Sequence, residues 1–315
     1  MLPSQFEDGY QLPALMPIEN FRSAVKYKPR PDDIFIATYP KCGTTWAQHI
    51  LVLILNDGTP ITSQSILFGA APFLELAGAK AVEEMPRPGA IKIHLPFRLA
   101  PWSEQAKYIH IARNPKDVCV SFYYHMKDTP VHGYKGSFDE FFELFLSGNI
   151  DFGDYFDHLL GWYEHRNDPN VLFLTYEAIL ENTAEAILKI ASFLDDAKYA
   201  EPLRQDPEKL NNVLKYSSFK HMKESVQSSL DDIIKMTPDE IAKSDLPDVL
   251  KNIFSQIPKE HLPDDGSPPS VNFIRKGIIG DWRNHFSEDQ SKRMDQKFAE
   301  RTKGTDIPNL WKNYM

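Results

Sequence analysis

The stretch Thr38-Tyr39-Pro40-Lys41-Cys42-Gly43-Thr44-Thr45-Trp46 joins two apolar segments of the chain. It follows the short run Ile34 to Ala37 and precedes the helix-like run Ala47 to Leu55. A strand, a tight loop and a helix start, in this order, present unpaired backbone N–H groups at the positive end of a helix dipole. Because one lysine and two hydroxyl groups stand beside them, these groups predict a P-loop-like nucleotide-binding loop that holds a phosphate-like anion.

The order of residues in this loop differs from the Walker loop, in which Gly-Lys is followed by Ser or Thr. Here Lys41 precedes Gly43. The pattern Pro-Lys-x-Gly-Thr-Thr-Trp resembles the 5′-phosphosulfate loop of cytosolic sulfotransferases, which bind 3′-phosphoadenosine 5′-phosphosulfate (PAPS). Taken alone, it also fits a strand-to-helix turn with a solvated lysine, so the rest of the chain has to decide.

The composition is that of one folded domain without a membrane span. The chain has 315 residues, of which 42% are hydrophobic, and its net charge of −9 argues against a general binder of nucleic acid or anionic membranes. The longest apolar run, Ile50 to Leu55, is too short to cross a bilayer, and Met1 to Tyr10 lacks the apolar core of a signal peptide. We therefore expect a single cytoplasmic domain over residues 1–315 that is flexible to about residue 30.

The two cysteines, Cys42 and Cys119, show neither the spacing of metal ligands nor that of a disulfide framework. Two free thiols suit a reducing compartment, although they do not prove one. The sequence therefore predicts no disulfide, and it offers no cysteine-based metal site.

Apolar runs predict the layout of the fold. The strand candidates are Ile34 to Ala37, Ala90 to Ile93, Tyr108 to Ala112 and Val171 to Thr175. Helical periodicity is clearest in Phe138 to Leu146, Tyr155 to His165, Ala184 to Leu194 and Glu288 to Ala299. Strands that alternate with helices favour an α/β fold with a central parallel sheet flanked by helices. Two less regular stretches, Asp57 to Pro88 and Thr237 to Ser270, are either mobile covers over a site or ordinary surface loops.

Two further segments carry groups that suit a phosphate. In the first, Arg113 follows a strand and Asn114-Pro115 starts a helix. If Asn114 caps that helix, Ser121 lies two turns on and projects on the same side, where its hydroxyl can assist Arg113. In the second, Arg275-Lys276-Gly277 offers a guanidinium fork, an ammonium group and an unhindered N–H. Each segment alone would more often be a solvated surface.

Together these segments are similar to the 3′-phosphate segments of cytosolic sulfotransferases, in the expected chain order, and the resemblance runs from about Arg30 to Phe298. It implies that the 5′-phosphosulfate is held in the loop by Lys41, Cys42, Gly43, Thr44 and Thr45. It implies that the 3′-phosphate is held by Arg113, Ser121, Arg275, Lys276 and Gly277. It also implies that adenine is surrounded by Trp46, Tyr176, Ser217 and Phe219, of which Trp46 and Phe219 offer flat aromatic faces for stacking.

The segment Ile91-Lys92-Ile93-His94-Leu95-Pro96 suggests the catalytic groups. Strand alternation places Lys92 and His94 on one face, two residues apart. A lone histidine after a strand is usually structural, but the family places its general base in this Lys-x-His-Leu-Pro context. The resemblance therefore implies that His94 is the base, that Lys92 adds positive charge near the transferring group, and that Lys41 stabilises the leaving oxygen.

The reaction that the resemblance implies is transfer of a sulfuryl group from PAPS to the hydroxyl or amine of a small acceptor. The product nucleotide is the adenosine bisphosphate PAP, and no metal is required. Phe73, Tyr124 and His125 occupy positions where such pockets stack on flat, often phenolic, substrates. Asp128 lies close to where an acidic residue can select a cationic amine, so the expected acceptor is a phenol or a phenolic monoamine.

Two departures from the family pattern stand out. Cys42 replaces a serine that is thought to restrain the neighbouring lysine, and a thiol is a poorer hydrogen-bonding partner. The usual dimer motif reads Arg283, Ser287-Glu288 and Lys292 here, with a reversed charge at the last position. We therefore expect a monomer or a weak homodimer. Two alternatives stay open from sequence: a P-loop kinase that needs Mg²⁺, and a catalytically silent nucleotide-binding protein.

Overall fold

The centre of the fold is a parallel sheet. The computed structural model describes residues 4–60, 69–257, 261 and 273–315. An antiparallel hairpin comes first, formed by strands β1 (Gln5–Glu7) and β2 (Tyr10–Leu12). The four parallel strands are β3 (Ile34–Thr38), β4 (Ala90–Ile93), β5 (Lys107–Ala112) and β6 (Val171–Thr175). Their order in the sheet is β4-β3-β5-β6.

Helices follow the strands and cover the sheet. They are α1 (Ile18–Val25), α2 (Thr44–Leu55), α3 (Leu74–Ala77), α4 (Ala79–Glu84), α5 (Pro115–Asp128), α6 (Phe138–Ser147), α7 (Tyr155–Glu164), α8 (Tyr176–Glu181), α9 (Thr183–Asp195), α10 (Glu201–Gln205), α11 (Pro207–Tyr216), α12 (Phe219–Lys235), α13 (Pro238–Lys243), α14 (Asp248–Ser255), α15 (Glu288–Arg301) and α16 (Ile307–Leu310). The predicted strands and helices agree with these bounds to within about two residues. The predicted fold class, α/β with a central parallel sheet flanked by helices, is confirmed.

Each face of the sheet has its own core because neighbouring strand residues point to opposite sides. Ile34 and Ile36 pack with α2, α9 and α11, whereas Phe35 and Ala37 pack with α1, α3 and α7. All five residues of β3 are buried, which explains why this strand reads as a continuous apolar run. Helices therefore cover both faces of the sheet, and the carboxyl ends of its strands remain open to a ligand.

The start of α5 is built as the sequence predicts. The side chain of Asn114 accepts a hydrogen bond from the N–H of Lys116 at 2.9 Å, and Pro115 occupies the first helical position. Glu177 accepts the N–H of Asn114 itself at 2.9 Å, so the turn is also held from outside the helix. This double anchor fixes where Arg113, the residue just before the cap, leaves the sheet.

The N-terminal segment differs from its prediction. The sequence predicts a flexible chain to about residue 30, but the structure places β1, β2 and α1 on the body of the protein from Ser4 onward. Leu12 and Phe21 are fully buried, and the rings of Tyr10 and Phe21 stack at 5.9 Å. The charges of this segment suggest a flexible tail, but burial of its aromatic and aliphatic side chains packs it against the rest of the protein.

The two irregular stretches contain short helices within their described parts. In 57–88 these are α3 and α4, and in 237–270 they are α13 and α14. Residues 61–68, 258–260 and 262–270 lie outside the described residues, so the interpretation of these parts as covers stays a prediction. Thr237 starts α13 with a reciprocal capping box to Glu240, which explains why this acidic, proline-containing stretch is helical.

A pair of imidazoles lies buried below the sheet. The rings of His110 and His158 are 5.5 Å apart, and His110 also stacks on Trp162 at 5.4 Å and on Phe173 at 5.2 Å. Neither nitrogen of His110 has a hydrogen-bond partner among the described residues. Burial lowers the pKa of both rings, that of His158 to about 3. Both imidazoles are therefore neutral in the folded protein and costly to protonate.

We expect His110→Phe to stabilise the protein, more at pH 5 than at pH 8. The unfolded chain takes up a proton on His110 below about pH 6.5 while the folded chain does not, so wild-type stability falls on acidification. The variant removes this loss together with two unpaired polar atoms, a gain of about 1–3 kcal/mol at pH 5. Urea unfolding at both pH values measures it, with His221→Phe as the control. Equal stability of His110→Phe and wild type at pH 5 would contradict the expectation.

Candidate active site

A cavity of about 670 Å³ opens at the carboxyl ends of the parallel strands. Every strand of the sheet is followed by residues that line it. These are the loop from Pro40 after β3, His94 after β4, Arg113 after β5 and Tyr176 after β6. The carboxyl end of a parallel sheet is the usual place for a ligand in an α/β fold, because the loops there converge from several strands.

The loop after β3 has the backbone of an anion cradle. Gly43 is the N-cap of α2 with φ of 95°, and no side chain caps the helix. A Cβ atom at this position would lie 2.9 Å from Cδ2 of Tyr176, so only glycine lets the loop approach that ring. Lys41 also has a positive φ, 69°, which is uncommon for a residue with a side chain. The first N–H groups of α2 consequently point at the cavity without a side-chain partner from the cap.

Lys41 is a partly buried cation that lines the cavity. Burial, together with the charges of Arg113, Lys92 and Arg275, lowers its pKa to about 7. Its ammonium group lies 4.7 Å from the centre of the Phe273 ring. No Asp or Glu of the described residues lines the cavity. Five lysine and arginine side chains converge on the cavity without a carboxylate among its described lining residues, which suits a ligand with several negative charges.

Arg113 is held from three sides. Its Nη1 donates to the carbonyl of Lys41 at 3.1 Å, and its Nη2 donates to the carbonyl of Ile278 at 3.2 Å. The guanidinium group stacks 4.2 Å above the ring of Tyr176, while its Nε has no partner among the described residues. Ser121, seven residues after Asn114, lines the same cavity, as the helical spacing predicts. The arrangement leaves one buried donor free to bind an anion.

The segment Arg275-Lys276-Gly277 reaches the cavity from the other end of the chain. Arg275 and Lys276 both pair with Asp281, at 2.6 and 2.7 Å. Burial raises the pKa of Asp281, but the hydrogen bonds from Lys276, Asn284 and Arg275 outweigh it and hold that pKa below its usual value. A Cβ atom at Gly277, where φ is 64°, would collide with the ring of Phe219. Asp281 thus orients both cations. Gly277, which has no side chain, allows the backbone of this segment to lie against the ring of Phe219.

An aromatic slot adjoins these cations. Trp46 meets Tyr176 edge to face at 5.6 Å, and both line the cavity with Ser217 and Phe219. The indole N–H of Trp46 is buried without a partner among the described residues. The hydroxyl of Ser217 instead donates to the carbonyl of Val213 at 2.6 Å. Flat apolar walls with one unused donor suit a purine base.

These features fit PAPS. Among the described residues that line the cavity, three buried donor atoms lack partners, namely Nε1 of Trp46, Nε of Arg113 and Nε of Arg275. Two glycines keep the loop and the C-terminal segment close to aromatic rings. The slot can take adenine, and the two groups of cations can take a phosphate at either side of a ribose. Among the described residues, no three His, Cys, Asp or Glu side chains are arranged to hold a metal ion.

His94 stands at the inner end of the cavity in a defined tautomer. Its Nδ1 lies 2.7 Å from the carbonyl oxygen of Thr38. A carbonyl oxygen can only accept, so Nδ1 carries the proton and Nε2 keeps its lone pair. Burial, helped by the charge of Lys92, holds the pKa of His94 well below its ordinary value. The ring is therefore neutral at pH 7, and Nε2 has no hydrogen-bond partner among the described residues.

Lys92 lies beside His94, as strand alternation predicts. Its ammonium group is 4.2 Å from the centre of the Phe73 ring, which in turn meets His94 edge to face at 5.0 Å. Burial lowers the pKa of Lys92 to about 8, and the nearby Glu75 opposes that fall. Glu75 was not among the residues predicted from sequence. Its one signal there is an acid within the otherwise apolar Pro72 to Leu76 stretch.

Apolar side chains from separate parts of the chain form an apolar wall of the cavity. They include Met16, Leu76, Phe152, Val226, Leu250 and Phe254. Phe73 lies in this wall next to Lys92. His125 is also part of it, with its Nε2 3.3 Å from Nε2 of His132. The part of the cavity away from the aromatic slot therefore suits a flat, apolar molecule.

Three predicted site residues have side chains outside the cavity lining. Tyr124 stacks on Arg275 at 4.7 Å, and Asp128 is half-buried on α5 without reaching the cavity. Ser121 and His125 share the cavity face of α5, and a residue three positions after either one lies about 60° around the helix. Cys42 is fully buried in the core. The prediction of Tyr124 and Asp128 as acceptor-pocket residues is thus not met by the lining of this cavity.

Comparison with known proteins agrees with this site. Residues 31–247 and 248–306 match the family model described as "Sulfotransferase domain". The chain is 34% identical over 294 residues to mouse sulfotransferase 1 family member D1, covering 90% of this chain and 88% of the relative. It is 33% identical over 287 residues to human sulfotransferase 1E1, covering 88% and 86%.

Solved structures show the same fold. The crystal structure of mouse sulfotransferase SULT7A1 complexed with PAP aligns with a TM-score of 0.72 and 26% identity, covering 99% of this chain and 98% of that one. Retinol dehydratase in complex with androsterone and PAP aligns with a TM-score of 0.69, covering 96% and 91%, but at 23% identity it supports the fold alone.

These matches decide between the interpretations that the sequence left open. A P-loop kinase and a silent nucleotide-binding protein both give way to an enzyme that uses PAPS and releases PAP. In the described part of the chain, no helix combines the length and apolar character that a membrane crossing needs. The chain belongs to the sulfotransferase family and is a PAPS-dependent sulfotransferase.

Proposed function

We propose that this sulfotransferase transfers the sulfuryl group to the hydroxyl of a small apolar acceptor, most readily a phenol, with His94 as the general base. One observation carries the proposal: a neutral imidazole with an unoccupied Nε2 lies in the same cavity as Lys41 and Lys92. A base and two cations at one point are what an in-line transfer to a hydroxyl needs.

The proton is accepted by Nε2 of His94. As the acceptor oxygen attacks the sulfur, its O–H bond breaks and the proton moves to that nitrogen. The hydrogen bond from Nδ1 to the carbonyl of Thr38 keeps the ring in the required tautomer and becomes stronger once the ring is charged. The imidazole thus avoids the cost of an alkoxide or phenoxide forming ahead of transfer.

The cations stabilise the charge that the reaction moves. PAPS, when bound, supplies the sulfuryl group and leaves as PAP, so negative charge grows on the bridging oxygen. Lys41, at the start of the anion cradle, would donate to that oxygen, and Lys92 would neutralise the transferring group. This division of roles between the two lysines follows from their places near the ends of the neighbouring strands β3 and β4.

Nucleotide binding is assigned to the same residues that the sequence singles out. We propose that Lys41, Thr44, Thr45 and the backbone of Cys42 and Gly43 hold the 5′-phosphosulfate. The 3′-phosphate would take the free donor of Arg113 with Ser121, Arg275, Lys276 and Gly277. Adenine would lie between Trp46, Tyr176, Ser217 and Phe219. Two observations support these assignments: the residues other than Cys42 line one cavity, and several of their buried donor atoms have no partner among the described residues.

A neutral phenol fits the acceptor wall better than a monoamine. Phe73 offers an aromatic edge beside His94, and the remaining wall is largely apolar. A cationic amine would meet no carboxylate among the described linings and would face Lys41 and Lys92. Because like charges in a buried site repel strongly, the ammonium group is disfavoured.

We expect neutral phenols to exceed dopamine-like amines in kcat/KM by about tenfold or more, since an unpaired buried ammonium costs at least one pKa unit of free energy. Sulfate transfer from radiolabelled PAPS to phenols, dopamine-like amines, steroids and aliphatic alcohols measures this. Asp128→Ala should leave the ratio unchanged. The double variant Asp128→Ala/Thr129→Asp moves the carboxylate onto a cavity-lining position at constant net charge and should favour amines. A wild-type preference for amines that Asp128→Ala abolishes would contradict the proposal.

We further propose that residues 1–315 act as one cytoplasmic domain, as a monomer or weak homodimer. Residues of the altered dimer motif already make contacts within the chain. Arg283 donates to the carbonyl of Tyr314 at 3.3 Å, and Ser287 caps α15 in a capping box with Gln290. Sedimentation at micromolar concentration tests the oligomeric state.

A further inference from the structure

A buried carboxyl group lies behind the proposed catalytic residues. Glu75, on α3, is only 1% exposed. Its Oε1 accepts the backbone N–H of His94 at 2.5 Å, whereas its Oε2 has no hydrogen-bond partner among the described residues. A buried carboxyl group with one unsatisfied oxygen is unfavourable, so its presence here needs a reason other than stability.

The chain around Glu75 is attached to β4 as a short additional strand. Phe73 forms a parallel bridge with Lys92, and the N–H of Lys92 donates to the carbonyl of Pro72 at 2.9 Å. Phe73 lines the cavity, while Glu75, two residues later, is buried beside it. This one segment therefore contacts both Lys92 and His94.

His94 is held at three points. Its N–H is bound by Glu75, its carbonyl oxygen accepts the hydroxyl of Tyr10 at 3.0 Å, and its Nδ1 donates to Thr38 at 2.7 Å. Glu75 is the one of these three partners that can change its charge near neutral pH. The position of Nε2 in the cavity depends on all three contacts.

The groups that face Glu75 set its charge. They are Lys92 from β4 and Tyr10 from β2. Burial raises the pKa of Glu75 to about 8 against the opposing effects of the hydrogen bond from the N–H of His94 and of the charge of Lys92, and burial raises the pKa of Tyr10 well above its ordinary value. At pH 7 the carboxyl group is therefore protonated beside a charged Lys92. The two groups titrate as a coupled pair above that pH.

We propose that Glu75 is a positioning residue for sulfuryl transfer: it fixes the backbone of His94 and, once ionised at alkaline pH, supplies the countercharge that keeps Lys92 an ammonium group. The inference rests on the proposed role of His94 as the base. It explains why a carboxyl group is retained where an apolar side chain would pack at lower cost.

The first test compares two replacements of this side chain. Glu75→Gln keeps an oxygen that can accept the N–H of His94, so kcat at pH 6.5 should stay within about threefold of wild type. Glu75→Ala removes that acceptor and should lower kcat by about 10–100-fold, since small displacements of a reacting group have effects of this size. The affinity for PAP should change by less than about threefold in both, because Glu75 does not line the cavity.

The second test is the pH profile of kcat. Without the carboxylate, Lys92 loses its countercharge, so the alkaline limb of Glu75→Gln should move to lower pH by about half a unit or more. A purely structural role for Glu75 would leave this limb in place. If Glu75→Ala does not fold, as circular dichroism would show, the profile of Glu75→Gln decides alone.

Parallel assays of His94→Ala separate this inference from the function on which it rests. If His94→Ala keeps its turnover, the base assignment fails. If His94→Ala is inactive while Glu75→Ala and Glu75→Gln match wild type in kcat and pH profile, only the inference about Glu75 is overturned. Loss of PAP affinity in Glu75→Ala that equals the loss in kcat also overturns it. Glu75→Ala should add no further loss in the His94→Ala background, because it acts through that residue.

Discussion

Replacing His94 with alanine is expected to lower kcat by about 10²–10⁴-fold, the range typical for loss of a general base. The reason is geometric, since Nε2 of the neutral ring is the unoccupied proton acceptor beside Lys41 and Lys92. PAP should bind within about threefold of wild type, because the nucleotide is assigned to other residues. His94 therefore acts on turnover and not on affinity.

Radiolabelled transfer and PAP calorimetry on the same preparation check this expectation. His125→Ala is the matched control, because it removes another neutral imidazole from the same cavity. It should change the acceptor KM more than kcat. If the loss of PAP affinity in His94→Ala equals the loss of rate, His94 binds nucleotide instead of serving as the base.

Lys41→Met should lower kcat/KM by about 10²–10³-fold, the usual cost of removing one preorganised donor from a developing negative charge. Lys41 is at the start of the anion cradle and is surrounded by three other cations. A charge that repels its neighbours in the free enzyme becomes favourable once an anion is bound. The variant should also weaken PAP binding, although less than it slows transfer. Lys276→Met, with a half-exposed ammonium group already paired to Asp281, is the control and should cost less.

The same lysine should make PAP binding pH-dependent. The pKa of Lys41 in the free protein is about 7, and a bound anion raises it. Above pH 7, binding must therefore take up a proton, and affinity should fall by up to about tenfold per pH unit. Calorimetry at pH 8.5 in two buffers of different ionisation enthalpy measures the uptake. Lys41→Met should show less uptake than wild type, with Lys92 contributing the rest; equal uptake in both would contradict the role of Lys41.

The parallel sheet and the anion cradle were predictable because their signals are local. A strand buried on both faces is a continuous apolar run, as in β3, and a loop between such a strand and a helix carries its ligands within nine residues of chain. The cap at Asn114 and the seven-residue step to Ser121 follow from helix geometry alone. The family assignment depended on three such local motifs occurring in the expected order.

The N-terminal segment and the acceptor wall were not predictable in the same way. Tyr10 and Phe21 look like tail residues until the core that buries them is known. Tyr124 and Asp128 were assigned to the pocket by the resemblance to the family, but the rotation of α5 takes them off the cavity face. A side chain's direction around a helix depends on which face the rest of the protein covers.

The sequence by itself determined the fold class and the nucleotide-binding motifs, because both are encoded by neighbouring residues and by elementary periodicity, whereas His94 is proposed as the base through the resemblance of its Lys-x-His-Leu-Pro context to the family. Tertiary structure alone decided the tautomer of His94, the shifted pKa values of Lys41 and Lys92, and the contact between Glu75 and His94. These properties arise from burial and from groups that are far apart along the chain, from 17 positions for Glu75 and Lys92 to 234 positions for Lys41 and Arg275. Only folding brings such groups within a few ångströms, where desolvation and charge act on them together.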